Sequence, residues 1–137
     1  MTYKVRDCTL DDIPFLIEKA EHFNDRYYGI PINLDKLVNY LTGLIVAEQG
    51  VVLRTDTGAI TGVHISDPCR DWEVLVETAW YSEGRDGLRL LDAFEQRGRE
   101  LGVDEVRMTT LEVNAGVELV LTRRGYTSIE TSHRLLL

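Results

Sequence analysis

Hydrophobic and polar positions change their period several times along the chain, and each change marks a predicted element. A short strand over residues 3–6 leads to Thr9 and Asp12, spaced as in a capping box, ahead of Ile13, Leu16, Ile17 and Ala20 at helical intervals. This pattern predicts a helix that starts near Asp11 and ends by Gly29 and Pro31. Asn33 then caps a second helix with a buried stripe of Leu34, Leu37, Val38, Leu41 and Leu44.

A period of two takes over in the middle of the chain. Residues 51–54 and 60–65 flank Thr55, Asp56, Thr57 and Gly58, which carry hairpin-turn chemistry, so two antiparallel strands are expected. After a loop over 67–71, the run 72–81 alternates, placing Val74, Val76 and Trp80 on one face and Leu75, Glu77, Ala79 and Tyr81 on the other. A glycine-containing turn over 82–87 opens into a helix over 88–101 with a stripe of Leu88, Leu91, Phe94, Gly98 and Leu101, stopped by Gly102. A strand over 103–111, a helix over 115–123 closed by Gly125, and an alternating strand over 129–137 complete the order βααβββαβαβ, with no internal repeat.

Composition narrows the classes. A length of 137 residues suits one domain spanning 1–137, and 44% apolar with 28% charged residues, free of low-complexity runs, gives no argument for disorder. The formal charge of -8 disfavours a nucleic-acid duplex or an anionic membrane as partner, the local pair Arg123-Arg124 notwithstanding. It suits a cationic amine, although many acidic proteins owe their charge to solubility alone. Cys8 and Cys69 stand apart, with no CxxC pair and no histidine cluster at metal spacing, so a reducing compartment and no structural metal are expected. Residues 1–6 carry no apolar signal segment and no run approaches the ~18 apolar residues of a membrane span, which points to a cytoplasmic protein.

The unit strand, glycine turn, helix gathers unpaired backbone N–H groups at the positive end of a helix dipole, where an anionic phosphate binds. Gly84 and Gly87 permit close backbone approach and Arg85 adds a charge-assisted donor; the same residues also suit an ordinary tight connection. Glu77 interrupts the apolar side of its strand. It reads either as a half-buried carboxylate with a raised pKa, poised to take a proton from an ammonium, or as a solvated group on an open sheet face.

Three segments in this element order resemble the GNAT superfamily of acetyl-CoA-dependent N-acetyltransferases. The segment from Ala79-Trp80-Tyr81 through Ser82-Glu83-Gly84-Arg85-Asp86-Gly87 into Leu88-Arg89-Leu90-Leu91 looks like the family's fourth strand, pyrophosphate loop and third helix. The helix tail 91–102 continues the likeness, and Asn114, followed eleven residues later by Gly125-Tyr126, resembles the asparagine that opens the fourth helix and the Gly-aromatic pair that closes it. The family's Q/R-x-x-G-x-G/A falls on residues 82–87, with Ser82 in place of Gln or Arg and Arg85 in place of Gly; this form is similar to that of small bacteriophage acetyltransferases.

The resemblance implies an α/β (α+β) fold, a mixed, mostly antiparallel sheet splayed between the fourth and fifth strands and covered by four helices. It implies acetyl-CoA in that split, with backbone contacts from Ala79 and Tyr81, flanking Trp80, a loop of Ser82, Gly84, Arg85, Asp86 and Gly87 running into Leu88, and Asn114 on the pantetheine or acting as a helix cap. Glu77 becomes the candidate base, with Glu73 farther along its face. The tyrosine that many members use as an acid is Leu121 here, and Tyr126 falls on a packing position. His22, Tyr27, Tyr28 and His64 are the candidates for an amine pocket, with plain packing or surface positions as the alternative. The single last segment is shorter than the family's final two strands, so a strand from a partner chain, as in a homodimer, would complete the sheet. N-acetylation of a primary amine, in a small molecule or a protein, by direct attack is the leading reading, and a thiol relay is not expected because both cysteines lie outside these segments. A silent module that binds CoA or a protein partner is the alternative. A nucleotide-binding domain fits the loop but not the preceding order of elements.

Overall fold

The computed structural model describes residues 4–27, 29–111 and 115–137. Among them the elements are β1 (Arg6–Asp7), α1 (Ile13–Tyr27), α2 (Leu34–Val46), β2 (Gly50–Arg54), β3 (Gly58–Ser66), β4 (Glu73–Ser82), α3 (Gly87–Leu101), β5 (Glu105–Arg107) and α4 (Ala115–Arg123), with one 3-10 turn, Leu10–Asp12, leading into α1. The strands form one sheet in the order β1-β2-β3-β4-β5, antiparallel from β1 to β4 and parallel between β4 and β5. The parallel step follows from the connection, because α3 crosses between the two strands where a hairpin would reverse the chain.

The helices start where the sequence provides caps. Asn33 Oδ1 accepts the Lys36 N–H at 3.0 Å, and Asp12 accepts the Thr9 N–H at 2.8 Å. The same Asp12 carboxylate, nearly closed to solvent, takes two bonds from Arg6 at 2.7 and 2.8 Å and one from Arg54 at 2.9 Å. Hydrogen bonding from Arg6 is the main reason its carboxyl stays well below the usual carboxylate range. This network ties the entry of α1 to β1 and β2.

The sheet has a core on each face. Leu16, Leu41, Leu44, Val52 and Ala59 pack with α1 and α2 on one side, while Val51, Leu53, Ile60, Leu75, Leu90 and Phe94 pack under α3 on the other. Along α3 the buried stripe is Leu90, Leu91, Phe94 and Gly98, whereas the expected Leu88 and Leu101 lie exposed at its two ends. A Cβ on Gly98 would stand 2.9 Å from Val106 Cγ2, so glycine is what lets α3 approach β5.

A β-bulge decides which side chains of β4 share a face. Thr61 pairs with Ala79 but its neighbour Gly62 pairs with Glu77, leaving Thr78 as an extra residue whose hydroxyl lies 2.7 Å from that of Thr61. The bulge reverses the alternation. Leu75 and Glu77 before it, and Trp80 after it, therefore point to the α3 side; Ala79 and Tyr81 point to the α1–α2 side. This corrects the uninterrupted alternation expected from sequence, which grouped Glu77 with Ala79 and Tyr81. Gly62 lies at the bulge, where a Cβ would stand 2.5 Å from Phe94 Cζ and 2.7 Å from the Val76 oxygen. Gly62→Ala is expected to destabilise the fold by about 1–3 kcal/mol through overpacking, measured as a lower urea midpoint at unchanged slope.

Two further expectations are corrected. The first strand is seen at Arg6–Asp7, later than residues 3–6, because its register is set by Arg54 and Leu53 of β2. The expected last strand over 129–137 is not formed: these residues make no ladder, and Leu135, Leu136 and Leu137 are exposed. Alternation assigns faces, but a strand also requires a paired neighbour.

Candidate functional site

The β4–β5 ladder is short. Val74, Leu75 and Val76 pair with Glu105, Val106 and Arg107, and among the described residues β4 has no ladder partner on that edge beyond Val76. Glu77 is the first residue past the last pair. It is 7% exposed, and the Thr109 backbone N–H donates to its carboxylate. Burial pushes its pKa up to about 7, partly opposed by that hydrogen bond. A carboxyl so placed exchanges a proton near neutral pH.

Past Ser82 the chain enters the loop that leads into α3. Asp86 occupies the N-cap position, but its side chain makes no cap bond. Its carboxylate is wholly buried and accepts from the hydroxyls of Thr55, Ser82 and Thr57, the last at 2.8 Å. Burial opposes its ionisation, yet the three hydroxyl bonds outweigh burial and hold the carboxyl below its usual range. The loop is thereby tied to the β2–β3 turn. With the Asp86 carboxylate turned away, the first N–H groups of α3 have neither a partner within the helix nor a bond from their own N-cap side chain.

The glycines of this loop have different reasons. A Cβ at Gly84 would lie 2.5 Å from Thr57 Oγ1, an internal constraint that the sequence did not reveal. Around Gly87 the nearest atoms to a Cβ are 3.9 Å away, and its carbonyl accepts the Trp80 indole N–H at 3.0 Å. Arg85 is exposed beside it, and Leu88 is half exposed. Glu83 turns the other way, toward α1, where Lys19 Nζ lies 3.1 Å from its carboxylate and His22 Nδ1 is in contact with it. These two bonds, that from His22 foremost, lower the Glu83 pKa.

On the α1–α2 side of the sheet is a cavity of about 210 Å³. Leu16, Phe23, Ile32, Leu37 and Leu41 form its apolar wall, and Ala79 and Tyr81 form the wall next to the end of β4. The Phe23 and Tyr81 rings meet edge to face with centroids 5.8 Å apart.

The candidates from sequence thus fall into separate groups. Residues 82–87 and Trp80 assemble around the start of α3, and Ala79 and Tyr81 join them to the cavity. Glu77 lies on the other face, at the end of the β4–β5 ladder, with Glu73 farther along that face. His64 does not line this cavity: it pairs with Leu75, on the α3 side, and its Nε2 lies 3.5 Å from Glu73. His22 is on the side of α1 that faces the loop at 82–87, bound to Glu83, and does not line the cavity. Tyr28 and Asn114 lie outside the described residues, as does the side chain of Tyr27. Leu121 is buried, and the Tyr126 hydroxyl donates to Glu95 at 2.7 Å, its pKa raised mainly by burial, in keeping with a packing position. Lys19, Phe23 and Tyr40, which line the cavity, were missed; the spacing of Lys19 and Phe23 on one helical face was the available signal. Glu18, His22 and Glu83 bring ligand-type atoms within 4.8 Å of one another, but the Lys19 ammonium already occupies that carboxylate cluster.

No family model matches the chain, and no curated protein matches it. Solved structures do. A protein of Arthrobacter sp. FB24 assigned as an acetyltransferase is 23% identical, with 97% of this chain and 96% of that one covered at a TM-score of 0.79. One from Clostridium acetobutylicum, assigned likewise and solved with acetyl-CoA, is 14% identical over 97% and 95% of the two chains, TM-score 0.75. An aminoglycoside acetyltransferase from an uncultured soil metagenomic sample, in complex with sisomicin, is 15% identical over 98% and 94%, TM-score 0.72. At these identities the likeness is one of fold, and the chain has the mixed α+β fold of the GNAT-like acetyltransferases.

Proposed function

We propose that this protein transfers an acetyl group from acetyl-CoA to a primary amine by direct attack. The observation that carries this reading is the conjunction at the end of β4: an open strand edge, a helix N-terminus whose own N-cap carboxylate is turned away, and a buried carboxyl with a pKa of about 7. Acetyl-CoA would supply the activated acyl group. The first turn of α3 offers N–H donors to its pyrophosphate, with Arg85 adding charge, and the open edge of β4 offers the N–H groups of Trp80 and Ser82 to the acyl end, because those of Ala79 and Tyr81 point to β3. Asp86 acts by fixing the loop, its side chain being fully engaged.

In the reaction the amine nitrogen bonds to the acyl carbon and the carbon–sulfur bond breaks, its electron pair leaving on sulfur. Glu77 takes the ammonium proton before attack. Because its side chain and the α1–α2 cavity lie on opposite faces of β4, that proton travels through water past the end of the β4–β5 ladder. With leucine at position 121, water relays to the departing sulfur the second proton, which the nitrogen loses as the amide forms. Within this reading the variant loop at 82–87 is a subfamily form, similar to that of bacteriophage enzymes, and the protein works in the cytoplasm. The departures at Ser82, Arg85 and Leu121 favour one second reading, a silent module that binds CoA or a protein partner.

Thermal denaturation with acetyl-CoA tests the proposal. At about 100 times its Kd a ligand specific to the folded state adds ~2.7 kcal/mol, a rise of roughly 5–10 °C for a domain of this size. No shift at millimolar acetyl-CoA would overturn both readings that involve CoA. A shift without acetylation of any amine would favour the silent module. Gly87→Val, whose Cβ would have no neighbour nearer than 3.9 Å, is expected to weaken acetyl-CoA at least about tenfold by placing a branched side chain against the approach to the α3 N-terminus.

A further inference from the structure

We infer that the cavity beneath α1 and α2 receives the uncharged, ring-sized body of a monoamine acceptor, an inference that rests on the acyl-transfer reading above. An apolar cavity of about 150 Å³ accommodates a benzene ring. The present one, at about 210 Å³, takes one substituted ring or a compact aliphatic group of similar size. Its wall is aliphatic and aromatic, and Phe23 and Tyr81 present ring surfaces at the end nearest the open edge of β4. A body seated there directs its amine toward Ala79 and Tyr81.

Polar groups of the wall are mostly committed elsewhere. The Thr61 hydroxyl is paired with Thr78, the Asn24 amide donates to the Ile30 oxygen at 2.6 Å, and the Lys19 ammonium pairs with Glu83. Among the described residues Lys19 is the one charged member of the lining, and it is cationic. A polycationic acceptor finds no carboxylate in this described wall, and its desolvated charges would be unpaired. Glu83 already supplies the counter-charge of Lys19, so an acceptor carboxylate meets a cation that is engaged. These features select against aminoglycosides and amino acids and in favour of an amine on an apolar body.

The probes are 2-phenylethylamine, phenylalanine and sisomicin, compared by kcat/KM with acetyl-CoA and by thermal shift of each amine alone. The expected result is a preference of at least about tenfold for 2-phenylethylamine over both others. Ala20→Leu, which fills the cavity from α1, should raise the KM for 2-phenylethylamine about tenfold while the thermal shift by acetyl-CoA persists. Leu37→Ala, which enlarges the cavity, should move the preference toward the larger tryptamine. A preference for sisomicin or phenylalanine, or an unchanged KM in Ala20→Leu, would overturn the inference. Should acetyl-CoA give no shift, the acyl-transfer reading fails separately. The amine-alone arm still decides the cavity: a saturable shift by 2-phenylethylamine that is lost in Ala20→Leu supports its occupancy, and no shift overturns it.

Discussion

Glu77→Gln is expected to lower turnover by about 100-fold to 10,000-fold, the usual range for loss of a general base, while acetyl-CoA affinity stays within about twofold. The amide keeps the shape of the side chain, and its carbonyl can still accept the Thr109 N–H, but it cannot take a proton. With a pKa near 7, the wild-type rate should climb through neutral pH and level off above it. In the variant that limb should vanish, leaving only the rise from amine deprotonation at higher pH. Stability supplies an independent readout. The folded pKa is raised above the ~4.3 of an unfolded glutamate, so the folded state holds this proton more tightly; the associated stability is complete below about pH 4 and lost as pH rises through about 7. A shift of this size corresponds to about 2–4 kcal/mol. Glutamine does not titrate, and the variant should therefore gain on the wild type between pH 5 and pH 8 in urea denaturation. Slow but more alkali-stable protein is the signature of a buried base. Wild-type turnover with an unchanged pH profile would instead assign proton removal to bulk water.

Asp86→Ala should cost about 2–5 kcal/mol of stability, because it removes three hydrogen bonds to a buried carboxylate and leaves the hydroxyls of Thr55, Thr57 and Ser82 without that acceptor. The loop at 82–87 loses its tie to the β2–β3 turn, so acetyl-CoA affinity should fall with it. Asp86→Asn keeps one acceptor oxygen and should lose less of both. Because the Asp86 pKa is lowered in the fold, its contribution is present above the unfolded value near 3.9 and lost only as pH falls through the lower folded value. Wild-type and Asp86→Ala urea midpoints should therefore differ by a constant amount from pH 5 to pH 8. A variant as stable as the wild type would show that the buried carboxylate costs as much to desolvate as its hydroxyl bonds return.

Much of the fold was legible in local pattern. The cap at Asn33, the capping-box spacing of Thr9 and Asp12, the hairpin turn at 55–58 and the stops at Gly102 and Gly125 act within a few residues of themselves, and each appears where the sequence placed it. Glu77 also stood out by itself, as a carboxylate among apolar neighbours, and its burial gives that signal its chemical meaning.

What the sequence determined by itself was the type and order of most elements and the identity of an interrupting carboxylate, because periodicity, caps and turns are short-range properties of the chain. Tertiary structure alone decided the direction in which functional groups point. The bulge at Thr78 exists only in the pairing of β4 with β3, and it sends Glu77 and Tyr81 to opposite faces. Asp86 reads only as a member of the loop at 82–87 until Thr55 and Thr57, distant in sequence, capture its carboxylate. Likewise the segment over 129–137 alternates as a strand should, but without a ladder partner it has no neighbour to satisfy its backbone, and the pattern stays unused.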